Sequence, residues 1–212
     1  MKTEVFAFNP IQENTFVVYD EQSGECAIVD PGCINDNEFE ILKGFISAND
    51  LKPVKLVNTH CHFDHILGVE RCRAEWNLKW EAHPADAFLV SNAQVQAAMF
   101  GVSIAPIQAA DTALADGAEI KVGNAVLKAI HVPGHSPGSI CLFHNESKTL
   151  LAGDVLFRGS IGRTDLPQGD YDTLINGIKE KLFVLPNDVK VYPGHGPSTS
   201  IGFEKANNPF LQ

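Results

Sequence analysis

A chain of 212 residues, 44% hydrophobic and 20% charged, carries enough apolar side chain for one sizeable core, and its composition is neither disordered nor fibrous. A formal net charge of −10 argues against a general nucleic-acid or anionic-membrane surface, which needs clustered Lys and Arg, but allows an anionic substrate beside a bound metal. No apolar run spans a membrane, residues 1–5 lack the apolar stretch of a secretory signal, and five cysteines without framework spacing read as reduced thiols.

The compartment expected is therefore the cytoplasm, with no nucleic-acid or membrane partner. Strands are expected at 5–8, 15–19 and 26–29, the last two flanking the Gln22-Ser23-Gly24 turn. Residues 36–47 place apolar side chains at 39, 41, 42, 45 and 46, a helical spacing. A short strand at 54–57 precedes a helix at 66–76. Trp80 marks a brief strand before a helical stretch at 84–99, where Pro84 suits a first turn. Residues 102–110 read as a surface loop. Strands follow at 120–122, 125–132, 139–143 and 149–152, then a Gly-rich loop at 158–170, a helix at 171–183 and a last strand at 189–192. This alternation predicts an α/β fold of packed sheets with helices outside, one domain over residues 1–212.

The strongest chemical signal is Thr59-His60-Cys61-His62-Phe63-Asp64-His65, directly after the strand at 54–57. A core cannot bury three imidazoles and a carboxylate unpaired. A polar helix-entry loop with Asp64 as cap accounts for Asp64 but not for the histidines. Imidazole suits zinc and iron, and the carboxylate adds a harder oxygen. His135 in Pro133-Gly134-His135-Ser136-Pro137-Gly138, Asp154 after Leu150-Leu151-Ala152-Gly153, and His195 in Pro193-Gly194-His195-Gly196-Pro197 each follow a strand-like run between Gly or Pro. Residues at the C-terminal ends of strands in a layered α/β fold converge in one crevice. Seven donors exceed the three protein ligands of one catalytic zinc. If Asp154 bridges, two metals share them.

HxHxDH, PGHSPGS, LAGDVLF and the final GH resemble the metallo-β-lactamase superfamily over nearly the whole chain. Within it the chain is similar to glyoxalase II-like proteins (hydroxyacylglutathione hydrolases). That likeness rests on Gly162-Arg163-Thr164-Asp165, on Tyr192-Pro193-Gly194-His195-Gly196-Pro197-Ser198-Thr199, and on Ile201-Gly202-x-Glu204-Lys205 with Asn208-Pro209-Phe210. The resemblance implies a four-layered αββα sandwich and two divalent metal ions, zinc with iron or manganese as alternatives. One metal takes His60, His62 and His135, the other Asp64, His65 and His195, and Asp154 bridges. It further implies hydrolysis of a small-molecule thioester of the S-lactoylglutathione type by a hydroxide held between the metals, with Asp64 as the catalytic residue that orients it and takes its proton.

Full-length glyoxalase II continues into a helical domain with basic residues for glutathione. This chain stops soon after His195, matching the short, single-domain branch, so the acyl group and thiol carrier stay open, as does the oligomeric state. Arg158 and Arg163 overhang the site in sequence. Either one meets a substrate carboxylate, or Arg163 braces the loop against Asp165 or Glu204. His131 is expected to orient a ligand or fill space, His83 and His144 to be solvated, and Cys61 to be a small apolar filler. The alternative function is a mononuclear-iron persulfide dioxygenase using His60, His135 and Asp154. The missing signal and the glyoxalase-like tail disfavour β-lactam hydrolysis, and a binding module with a relict site would have lost ligands.

Overall fold

The computed structural model describes residues 1–212. Its first half runs β1 (Lys2–Phe8), β2 (Glu13–Tyr19), β3 (Glu25–Val29), α1 (Asp36–Ala48), β4 (Lys52–Val57), α2 (Phe63–Ile66), α3 (Val69–Trp76), β5 (Trp80–Ala82), α4 (Ala87–Ser91), α5 (Ala93–Met99) and β6 (Thr112–Ala113). The six strands lie side by side in chain order. Hairpins make β1–β3 antiparallel, whereas helical crossovers make β3–β6 parallel.

The second half runs β7 (Glu119–Val122), β8 (Ala125–His131), β9 (Ile140–His144), β10 (Thr149–Gly153), the small hairpin β11 (Leu156–Phe157) and β12 (Ser160–Ile161), α6 (Tyr171–Gly177), β13 (Lys190–Pro193), β14 (Thr199–Ser200) and α7 (Ile201–Asn207). Its sheet has the order β14-β13-β10-β9-β8-β7, with β10 and β13 parallel across the α6 crossover.

Side-chain alternation along the strands sorts the apolar residues into three layers. Phe16, Val18, Ala27, Val29 and Val57 of the first sheet meet Ile120, Leu127, Ala129, Ile140, Leu142 and Leu151 of the second. The other face of the first sheet, through Val17, Ile28 and Leu56, packs on Phe39, Leu42 and Ile46 of α1 and on Val69 and Cys72 of α3. The other face of the second, through Cys141, Leu150 and Val191, packs on Leu174, Ile178 and Leu182. Helix, sheet, sheet and helix are the four layers expected. Each fully buried Leu or Ile there contributes roughly 1.5–3 kcal/mol.

Three helices differ from expectation. The stretch at 66–76 starts earlier and breaks between α2 and α3, where the Gly68 amide is taken by Pro31 O at 2.6 Å. The stretch at 84–99 is a 3-10 turn followed by α4 and α5, interrupted at Asn92, whose amide side chain bonds Phe88 O at 2.7 Å. The helix after Asp170 widens into a π-turn at Ile178–Leu182. Residues 102–110 form no regular element, although Val102, Ile104 and Ile107 lean on the α1 core. No helix is long and apolar enough to cross a membrane.

Candidate metal centre

Four strand ends deliver the donors. The loop after β4 carries His60, His62, Asp64 and His65, the turn after β8 carries His135, the end of β10 carries Asp154, and the end of β13 carries His195. Asp30, fully buried just past β3, holds the first loop. Its Oδ1 accepts from Thr59 N at 2.7 Å and Asn58 Nδ2 at 3.0 Å, and its Oδ2 accepts from Thr59 Oγ1 at 2.5 Å. Asp86, also fully buried, ties that loop to the His135 turn. It accepts from Cys61 N at 3.0 Å, Ser136 Oγ at 2.9 Å and Gly138 N at 2.7 Å. His131 stacks on His83 with ring centroids 4.2 Å apart and bonds Pro137 O at 2.8 Å, so it steadies the same turn.

The His195 turn is clasped from the far end of the chain. Asn14 N donates to Gly194 O at 2.7 Å, and Asn14 Nδ2 donates to Pro193 O and Gly196 O, each at 2.9 Å. Gly194 passes so close to the centre that an added Cβ would collide with Asp154 Oδ1 and stand 2.7 Å from His65 Cε1. Gly194→Ala is therefore expected to displace Asp154 and His65 and lower the metal bound per chain relative to wild type. Elemental analysis beside a circular dichroism spectrum checks this; full metal content in a folded variant would contradict it.

The seven donors fall into two groups around one carboxylate. The ligand atoms of His60, His62 and His135 lie within 4.8 Å of one another, as do those of Asp64, His65 and His195. Asp154 faces both groups: Oδ1 is 3.6 Å from His65 Nε2, while Oδ2 is 3.5 Å from His135 Nε2 and 3.7 Å from His195 Nε2. His60 Nε2 and Asp154 Oδ1 are buried with no hydrogen-bond partner. Two nitrogen pairs converge, His62 Nδ1 with His135 Nε2 at 2.9 Å and His65 Nε2 with His195 Nε2 at 3.3 Å. The outward ring nitrogens are held by oxygens: His135 Nδ1 by Arg163 O at 2.8 Å, His65 Nδ1 by Asp30 at 3.3 Å, His195 Nδ1 by Ile11 O at 3.3 Å. Inward lone pairs, outward acceptors and orphaned atoms together fit divalent cations.

Electrostatics divide the groups. Burial, then the facing His135, pushes His62 down to about 3, and burial with its neighbouring imidazoles pushes His60 well below the usual histidine range, so these rings offer neutral nitrogen. Burial opposes charge on His65 and His195 too, but Asp64 and Asp154 outweigh it and hold both above the usual histidine range. Burial likewise works against the Asp64 carboxylate, and the imidazoles of His65 and His195 overcome it, holding Asp64 below the usual range.

Asp64 caps nothing: α2 starts at Phe63 behind His62, with no side-chain cap. The Cys61 thiol is buried in the α1 core, and that burial pushes its pKa up, which suits filler. Arg163 braces the loop: Nε and NH2 pair with the two Asp165 oxygens, both at 2.8 Å, while its carbonyl holds His135. Glu204, the other partner considered, instead accepts from Gly159 N, Thr199 Oγ1 and Asn208 Nδ2. Arg158 lies over the Phe203 ring at 5.5 Å. His144 is not solvated as expected but buried, its Nδ1 bonded to Ser147 Oγ at 2.7 Å, and His83 is partly buried in its stack with His131.

Sequence reasoning missed Asp30, Asp86 and Glu13. Val29-Asp30-Pro31-Gly32 repeats the strand, polar residue, Gly or Pro pattern of the donor turns and was findable by it. Glu13 is fully buried behind His65, and burial pushes its carboxyl well above the usual range.

Known proteins bear on this centre. Over 213 residues, covering 100% of this chain and 98% of the relative, it is 37% identical to the hydroxyacylglutathione hydrolase GloC of Haemophilus influenzae. The probable metallo-hydrolase YqgX of Bacillus subtilis is 35% identical over 214 residues, covering 100% and 98%. Among solved structures, the BLEG-1 B3 metallo-beta-lactamase superposes with a TM-score of 0.88 at 34% identity, covering 100% of both chains. TTHA1623 in a di-iron-bound form superposes at 0.87 and 34%, covering 98% of this chain and 100% of that one. ETHE1 from Myxococcus xanthus follows at 0.81 and 25%, covering 99% and 84%. The profile of the metallo-beta-lactamase superfamily matches residues 8–195, which takes in all seven donors, and the chain belongs to that superfamily.

Proposed function

We propose that the chain is a two-metal hydrolase of thioesters, with His60, His62 and His135 holding one ion, Asp64, His65 and His195 the other, and Asp154 shared. The observation that carries the two-metal reading is Asp154, whose Oδ2 lies between His135 of one group and His195 of the other while its Oδ1 faces His65. Zinc is the ion proposed, with iron or manganese as alternatives, and the di-iron relative supports iron. Such an ion pair lowers the pKa of water toward 7 and polarises a carbonyl.

The protein's own groups supply the rest. Asp64 Oδ2, 3.2 Å from His195 Nε2, is held ionised by its imidazole neighbours and serves as proton acceptor. A thioester suits the site because a thiolate leaves without a proton donor, thiols being fairly acidic. The GloC relative supports this substrate class. Arg158 is the cation proposed to meet substrate, since Arg163 is engaged by Asp165. A second reading, β-lactam hydrolysis, gains support from the whole-length likeness to BLEG-1 and enters the test.

Protein purified without chelator should hold close to two metal equivalents. A stable value of one, unmoved by added zinc or iron, would leave the mononuclear-iron dioxygenase reading. The same preparation should hydrolyse S-lactoylglutathione and a lactoyl-thioester without the γ-glutamyl arm, and leave glutathione persulfide and a penicillin largely untouched. With Arg163 engaged and Arg158 the remaining loop cation, kcat/KM for the two thioesters should agree within about a hundredfold. A charged clamp of two bonds, at about 1.5–3 kcal/mol each, would exceed that ratio. Stronger preference for glutathione would reveal a basic pocket and contradict the expectation.

A further inference from the structure

Glu13 is the first residue of β2, and its side chain turns under the sheet into full burial. One oxygen is occupied: Oε2 accepts from Thr15 Oγ1 at 2.9 Å, and Thr15 Oγ1 in turn accepts from Gly32 N at 2.8 Å. Gly32 must be glycine here, since a Cβ would collide with Glu13 Oε2. The other oxygen, Oε1, is buried with no hydrogen-bond partner and lies 3.7 Å from His65 Nδ1.

Asp30 Oδ2 faces the same Nδ1 at 3.3 Å, but that oxygen already accepts from Thr59 Oγ1 at 2.5 Å. Two carboxylates thus converge behind one imidazole, and only one has a task in holding the loop. Burying a carboxylate with an empty oxygen carries a desolvation cost that no bond on that oxygen offsets. What lies across the imidazole gives Glu13 a use, because His65 Nε2 opens on the group shared with Asp64 and His195.

We propose that Glu13 is a positioning residue: packed with Asp30 behind the His65 ring, it holds that ring with Nε2 turned toward Asp64 and His195, so that it sets metal affinity at that group alone. The inference rests on the two-metal reading above. Outer groups that orient a ligating histidine typically change metal affinity by about tenfold to a hundredfold.

The test is stepwise zinc titration of the metal-free protein against a chromophoric chelator, for wild type, Glu13→Met and Glu13→Gln. Glu13→Met removes the acceptor at similar volume, and Glu13→Gln keeps a neutral carbonyl in its place. The second equivalent should weaken about tenfold to a hundredfold in Glu13→Met and less in Glu13→Gln, with the first unchanged. In a His195→Ala background, Glu13→Met should leave the remaining equivalent as it is. Equal weakening of both equivalents, or of neither, overturns the proposal, and should Glu13→Met fail to fold, the Glu13→Gln titration decides alone. A wild-type stoichiometry of one overturns the two-metal reading itself and is told apart from failure of Glu13, which leaves wild type at two.

Discussion

Asp64→Asn is expected to lower kcat for thioester hydrolysis by roughly 10²–10⁴-fold, the range of a lost general acid-base group, while one equivalent of metal stays bound. The amide keeps the shape and loses the charge that His65 and His195 now balance, with Oδ2 at 3.6 Å from His65 Nε2 and 3.2 Å from His195 Nε2. The fold should stand, because the structural bond at this position is made by the main chain: Asn9 Nδ2 donates to Asp64 O at 3.2 Å. His60, His62 and His135 are untouched and keep their ion. Metal content and steady-state kinetics on one preparation check the prediction. Wild-type turnover with both equivalents bound would remove Asp64 from the role of proton acceptor.

Asp86→Ala should produce a large loss of stability. The substitution leaves Cys61 N, Ser136 Oγ and Gly138 N without the acceptor they share inside the protein. Unpaired buried donors cost about 1–3 kcal/mol each. Burial pushes the Asp86 carboxyl above its usual range in spite of these bonds, so part of their worth already offsets desolvation. The net expectation is about 3–5 kcal/mol, read as a lower urea midpoint with an unchanged m-value. Metal should also be lost from the group that joins His60 and His62 to His135, since Asp86 is what holds their two loops together. An unaltered midpoint would show that the tie is dispensable.

The seven candidate donors are legible in the sequence because four crowd residues 60–65 directly after a strand, while His135, Asp154 and His195 each follow a strand-like run beside Gly or Pro. Asp30 carries the same mark and lacked only a histidine beside it. Asp86 and Glu13 carry none: one is the third residue of a short turn and the other opens a strand, and only folding sets them against Cys61 and His65. Arg163 shows the same limit from another side. Its charge suggested a substrate contact, but the site uses its main-chain oxygen on His135, which any residue would offer. The sheets were legible where strands ran long enough to alternate. The two-residue strands β6, β11, β12 and β14 have no period to read, and the break before α3 comes from Pro31, a contact distant in sequence.

The clasp of residues 11–14 on the His195 turn has a consequence for assembly. Its bonds join positions 179 to 184 residues apart, so one of the two donor groups depends on nearly the longest loop the chain can close. Contacts of such separation form late, because loop entropy must be met before they reward it. During synthesis His60, His62 and His135 emerge and can meet while the strand that delivers His195 is still unmade. In a nascent chain one donor group can therefore assemble before the other, and its N-terminal strands stand with an empty place beside Asn14 until β13 arrives. Chaperone contact, premature metal capture and misfolding all have their opening in that interval.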